Sequence, residues 1–134
     1  MDFPTAVGTC FRKYAIVGGR ASRSEYWFFQ LFCALVFIGL SFVVFAFAEP
    51  LRVGAMAPLF FILAFFVAIL GLFLPHLCVT VRRLHDTNAS GFWYLLFFVP
   101  YLGWLANIIW CCIPGTKGDN FYGRSPLETP EEVF

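Results

Sequence analysis

The sequence predicts an all-α integral membrane protein. Three transmembrane helices, the third kinked or broken, follow a short amphipathic interfacial helix. Composition and three charge-free stretches predict this. Hydrophobic residues make up 60% of the 134 and charged residues 13%, against roughly 45–50% and about 25% in an ordinary soluble domain. Mean hydropathy is +0.79. A chain this small exposes much of its surface, and nine basic plus eight acidic side chains cannot cover it. Lys, Arg, Asp and Glu are absent from Tyr26 to Ala48, from Val53 to Val81 and from Thr87 to Thr116. Each stretch allows one crossing of a hydrocarbon core, which takes about 20 residues, and none allows two. Backbone groups in lipid must be satisfied internally, so the crossings are expected to be helices. Residues 59–74 are apolar on every face, unlike the alternating strands of a membrane barrel.

The first element is expected over residues 3–16. Phe3, Val7, Cys10, Phe11 and Tyr14 share one helical face, with Thr5, Thr9, Arg12 and Lys13 mostly opposite. Pro4 suits a first helical position, and the pattern fits a helix lying in the membrane interface. Gly18-Gly19 ends it. The first crossing, 23–48, opens on Ser22-Arg23-Ser24-Glu25, which has capping-box spacing. Tyr26-Trp27-Phe28 follow at headgroup level. Ala46-Phe47-Ala48 looks like a signal-cleavage site, but the preceding apolar run exceeds the usual 7–15 residues, so the helix is expected to stay uncleaved. Glu49-Pro50 should end it, and the next loop holds Arg52. The second crossing, 57–84, begins near Ala57-Pro58 and is expected to kink at Pro75. It carries Arg82, Arg83, His85 and Asp86 out of the membrane. Ser90 is expected to cap the third segment, 91–113, and Phe92-Trp93-Tyr94 repeat the aromatic belt. Pro100, Gly103 and Asn107 interrupt this segment, as a kinked crossing or as two half-helices with an irregular turn. A polar tail rich in Gly and Pro, with Pro126 and Pro130 near its end, fills 114–134.

With three crossings, Arg12, Lys13, Arg20, Arg23, Arg82 and Arg83 lie on one side, and Arg52, Lys117 and Arg124 on the other. The positive-inside rule then puts the N-terminus in the cytoplasm and the C-terminus in the periplasm. A re-entrant third segment would instead return the tail to the cytoplasm.

Several function classes are unsupported. Net charge is +1, so no global field points to nucleic acid. The five cysteines form no CxxC pair, and Cys111-Cys112 are adjacent; neither a disulfide framework nor a zinc site is expected. No cofactor motif occurs, and Gly115, Gly118 and Gly123 do not make a GxGxxG. Nucleophile elbow, HExxH and phosphate loop are all missing. Of the possible nucleophiles Ser22, Ser24 and Ser90, Ser22 and Ser90 are better explained as caps, and His85-Asp86 adjacency is not the geometry of an oriented base. No catalytic residue is assigned and an enzyme is not expected.

The charges bunch instead at one membrane face. One motif supplies Arg20, Arg23 and Glu25; the other supplies Arg82, Arg83, His85 and Asp86. Arg82 and Asp86 are spaced to pair, and Glu25 is an alternative partner for Arg82. The primary reading is a topology anchor and helix clasp, with Ser22, Glu25 and Asp86 as structural polar partners. An alternative follows from the use of Arg at four places where topology would accept Lys. The guanidinium fork suits carboxylate or phosphate, so Arg20, Arg23, Arg82, Arg83 and His85 form a candidate site for an anionic lipid headgroup or another anion. A second alternative is a subunit of an oligomeric transporter or channel. It draws on the broken third segment and on two intramembrane polar residues, His76 and Asn107. The partners expected are membrane lipids, with a homo-oligomer or another membrane protein beside them.

Three stretches also carry a resemblance. Gly19-Arg20-Ala21-Ser22-Arg23-Ser24-Glu25-Tyr26-Trp27 resembles the G-R-A-S-R-x-E-[FY]-W stretch of the domain of unknown function 805 family. Val81-Arg82-Arg83-Leu84-His85-Asp86-Thr87, followed by Ser90-Gly91-Phe92-Trp93, is similar to its V-R-R-L-H-D-T-G-x-S-G-W-W stretch. Asn88 stands at the usual Gly, and Phe92 replaces the first Trp. The run from Pro114 to Gly123 resembles its P-G-x-x-G-x-N-x-Y-G tail. The resemblance implies a small bacterial inner-membrane protein and implies no reaction.

Overall fold

The computed structural model describes residues 1–48 and 56–126. The expected stop at Glu49-Pro50, the Arg52 loop and the end of the tail with Pro130 lie outside them. Four α-helices form: α1 (Phe3–Arg12), α2 (Arg23–Ala48), α3 (Met56–Asp86) and α4 (Leu102–Cys112), with a 3-10 helix (Gly91–Phe98) before the last. No strand occurs among the described residues, only an isolated bridge between Asn120 and Gly123.

Two helices are long and apolar enough to cross a membrane, over Arg23–Ala46 and Leu59–Asp86. Their far halves are bare. Leu35, Ile38, Phe42 and Phe45 on α2, and Phe60, Ile62, Phe66 and Leu70 on α3, are all exposed. Their near halves are packed, from Tyr26 to Cys33 on α2 and from Pro75 to Asp86 on α3. The core is inside out. Arg20, Glu25, Arg82, Arg83 and Asp86 are buried while most large apolar side chains face outward. This is how a chain divides its residues when lipid surrounds its apolar surface.

α1 forms with Pro4 in its first turn. Phe3 meets Phe28 edge-on at 5.9 Å, and Phe11 meets Phe29 and Phe32 at 5.9 and 5.7 Å. Its buried residues are Ala6, Thr9 and Cys10, so the face against α2 is shifted from the stripe read in sequence. Beyond its end, Tyr14 does a specific job. α3 continues as helix through Pro75, which has no N–H to offer the Gly71 carbonyl one turn earlier. The Tyr14 hydroxyl donates to that carbonyl at 2.8 Å. Tyr14→Phe is therefore expected to lower unfolding free energy in detergent micelles by about 0.5–1.5 kcal/mol, the net worth of one hydrogen bond. An unchanged value would mean that the carbonyl is satisfied without the hydroxyl.

The third apolar stretch forms two elements rather than one continuous helix. Ser90 caps it as expected, its hydroxyl accepting from the Phe92 N–H at 3.3 Å. The 3-10 helix then runs down α3, with Gly91 against Val81 and His85 and Phe97 edge-on to His76 at 6.3 Å. At Val99–Tyr101 the chain turns, with Tyr101 at φ 61°, and α4 returns. Trp93 near the start packs against Trp110 near the end, with ring centres 5.0 Å apart and planes tilted by 45°. Arg83 donates to the carbonyls of Cys111, at 3.3 Å, and Ile113. Both ends of the segment thus lie at the same end of α3. Of the two forms expected over 91–113, the two half-helices with an irregular turn are found, folded into a hairpin with arms of about 16 Å each by rise per residue. Pro100 removes a backbone donor, and Gly103 lets the arms touch where a side chain would overlap the Leu96 carbonyl. The tail follows the hairpin back. The Thr116 N–H donates to the Asp86 carbonyl at 2.8 Å. Thr116 therefore sits beside the Arg83–Asp86 end of α3.

Candidate functional site

The site is built where the start of α2, the end of α3, the end of α4 and the tail meet. Ser22 begins it. Its hydroxyl accepts from the Glu25 N–H at 3.2 Å, and its carbonyl accepts from the Tyr26 N–H at 3.2 Å. The cap is thus present, but the reciprocal half of the capping box is not observed. The Glu25 carboxylate goes instead to Arg82, with Nη1 at 2.7 Å from Oε1. It also accepts from the Cys10 thiol at 3.8 Å. Burial and the Glu25 charge push that thiol up to about 12. Arg82 is 1% exposed, and its Nε and Nη2 have no hydrogen-bond partner among the described residues. Charge rather than aligned donation holds this pair.

Asp86 is the hub of the other half. Arg20 Nε lies 2.9 Å from Oδ1, and Arg83 Nη1 contacts Oδ2. The remaining donors of both arginines reach backbone carbonyls. Arg20 donates to Thr116 and Gly118, each at 2.6 Å, and to Gly123 at 3.3 Å. Arg83 donates to Cys111 and Ile113, at the open C-terminal end of α4, where cations are favoured. Gly115 lies against the Asp86 carboxylate so closely that a Cβ would overlap it. The Arg82–Asp86 pairing read from their spacing does not form, because Asp86 is occupied by Arg20 and Arg83. The alternative, Arg82 with Glu25, does.

The other candidates sit around this core. His85 stacks flat on Tyr122, with ring centres 3.9 Å apart. Its Nδ1 is 3.3 Å from the Gly19 carbonyl, and Asn120 donates to the His85 carbonyl at 2.9 Å. Arg23 is exposed and stands outside the network; it lines a groove with Ser24, Trp27, Phe28 and Cys112. His76 and Asn107 are not brought together. His76 Nε2 is 2.9 Å from Gln30 Oε1, while Asn107 accepts from the Cys111 thiol one turn along α4. No group of His, Cys, Asp and Glu able to hold a metal occurs among the described residues.

Reasoning from sequence missed Gln30 and the polar roles of Cys10, Tyr14, Thr116, Gly118, Asn120 and Gly123. For the tail, the signal was the Gly spacing after Pro114, which marks turns whose carbonyls point inward. Chemically, the arrangement binds backbone to backbone through guanidinium and carboxylate. The Ser22 hydroxyl is engaged by the Glu25 N–H and lies 3.0 Å from Ser24 Oγ, and burial keeps the Cys10 thiol beside Glu25 protonated.

The family profile described as "Protein of unknown function (DUF805)" matches residues 14–124. That span holds every residue of the network except Cys10. The chain is 41% identical over 115 residues to the inner membrane protein YhaI of Escherichia coli (strain K12), covering 86% of this chain and 89% of that protein. It is 39% identical over 122 residues to the inner membrane protein YhaH of the same strain, covering 89% and 93%. No solved structure matches it. With most of its length matched by one profile and by relatives of nearly its own size, the chain belongs to the DUF805 family, whose function is unknown.

Proposed function

We propose that this is a two-span inner-membrane protein whose Arg–Asp–Glu network acts as a helix clasp and topology anchor, with no enzymatic role. The observation that carries the reading is Asp86 held between Arg20 and Arg83 while their other donors take five carbonyls from 111–123. One carboxylate thereby fastens the first motif, α3, the hairpin and the tail into one head. The names of the relatives support the inner membrane, and the bare halves of α2 and α3 supply the lipid-facing surface.

In this reading the hairpin is re-entrant, and both described ends of the chain share a side. Arg12, Lys13, Arg20, Arg23, Arg82, Arg83, Lys117 and Arg124 then stand together, leaving only Arg52 between the spans. Such asymmetry places the head in the cytoplasm. Charged surface near the membrane fixes orientation, and the buried part of the same cluster fixes packing. α1 lies along the head at the interface.

Membrane-impermeant thiol labelling in a Cys112→Ser background tests the topology. Arg52→Cys is expected to label from the periplasmic side of spheroplasts, and Lys117→Cys only in inside-out vesicles. Labelling of both from one side would overturn the two-span arrangement.

A further inference from the structure

One cation is left out of the clasp. Arg23 is exposed and makes no hydrogen bond or ion pair with any described residue. It stands at a groove of about 350 Å³ between the start of α2 and the end of α4, shared with Ser24, Trp27, Phe28 and Cys112. Trp27 is itself exposed there.

The charge behind this groove is unbalanced. Arg20, Arg82 and Arg83 are buried, and Glu25 and Asp86 are the only buried carboxylates among the described residues. One positive charge is therefore in excess, in a region of low polarizability where it is poorly screened. Arg23 adds a second, exposed at the start of α2. The donors of Arg20 and Arg83 are occupied, and Arg82 is sealed beneath the surface. Arg23 is thus where an outside anion can meet the excess.

The walls narrow the choice of anion. A small soluble anion would use the guanidinium and leave the indole and phenyl faces unused. A phospholipid uses both, with phosphate on the fork and glycerol and upper acyl chain along the rings. A zwitterionic headgroup carries no net charge to offset the excess; an anionic one does. We propose that the groove between α2 and α4 binds an anionic phospholipid, its phosphate on Arg23 and its chain along Trp27 and Phe28.

The protein carries a native reporter. Cys112 lines the groove and is exposed, whereas Cys10, Cys33, Cys78 and Cys111 are buried. Alkylation of Cys112 by a water-soluble maleimide can be followed on the full chain in neutral detergent micelles. Added phosphatidylglycerol is expected to slow it roughly tenfold once nine-tenths of the protein is occupied. Phosphatidylcholine at the same mole fraction, or inorganic phosphate alone, should leave the rate unchanged. Arg23→Gln should abolish the protection, Arg23→Lys should keep part of it because charge remains without the fork, and Arg12→Gln should keep all of it. Trp27→Ala, with Arg23 intact, should weaken it and serves if the Arg23 variant unfolds. Native mass spectrometry should find phosphatidylglycerol retained by the wild type and lost from Arg23→Gln. Equal protection by the two lipids, protection by phosphate alone, or undiminished protection in Arg23→Gln or Trp27→Ala would overturn the proposal.

Discussion

Asp86→Asn is expected to release the tail and cost about 3–5 kcal/mol of head stability, the range for breaking a buried ion pair by removing one partner. The amide keeps the shape of the carboxylate but not its charge. Arg20 and Arg83 would then lie buried without a counter-ion, since Glu25 belongs to Arg82. The Thr116 contacts to the Asp86 carbonyl do not depend on the side chain, so they alone would have to hold the tail. Limited proteolysis should cut within 114–126 in the variant and not in the wild type. Glu25→Gln is the matched control. It removes the other carboxylate, and its effect should fall on α1 and Arg82 while the tail stays protected. Arg20→Lys should resemble Asp86→Asn in the tail, because one ammonium cannot reach Asp86, Thr116, Gly118 and Gly123 together. An intact tail in Asp86→Asn would remove the clasp.

The two long apolar helices were legible because lipid admits so few alternatives. A charge-free run of that length without an internal Pro-x-x-Gly break is expected as one helix, and α2 and α3 follow. The Ser22 and Ser90 caps were legible because a cap is local. Pairing within the cluster was not. Successive residues on a helix point about 100° apart, so Arg82 and Arg83 serve different neighbours. Arg82 turns to Glu25 and Cys10, and Arg83 to Asp86 and the end of α4. Spacing allows both Arg82–Asp86 and Arg83–Asp86, and packing decides. The clasp's main acceptors are the backbone carbonyls of Cys111, Ile113, Thr116, Gly118 and Gly123, and the Gly spacing marks the tail's turns without saying which carbonyls are used. Pro100 and Gly103 announced a break in the third stretch, but not its direction. A kink that continues outward and a turn that doubles back use the same residues. What separates them is the contact between Trp93 and Trp110, which is tertiary.

Gly103→Ala separates those two geometries by the sign of its effect. In a kinked crossing helix, alanine in place of glycine would stabilise by up to about 1 kcal/mol through helix propensity. In the hairpin, Gly103 meets the Leu96 carbonyl and the Phe97 Cα of the opposite arm. These are backbone atoms, so no side-chain rotation can make room. The arms must part, and the cost is expected at or above the 1–3 kcal/mol typical of an overpacked core. The displacement should spread to both ends of the segment. Trp93 and Trp110 would move apart, altering the tryptophan emission, and Arg83 would lose alignment with Cys111 and Ile113. Gly39→Ala gives the baseline, because a Cβ at that position on α2 meets nothing within 4 Å. Unfolding in mixed micelles is expected to show Gly39→Ala neutral or slightly stabilised and Gly103→Ala clearly destabilised. If the two variants shift together in the stabilising direction, the third segment does not double back. The tail could then not reach Asp86 from where the chain would leave it, and the clasp would lose its acceptors along with the hairpin.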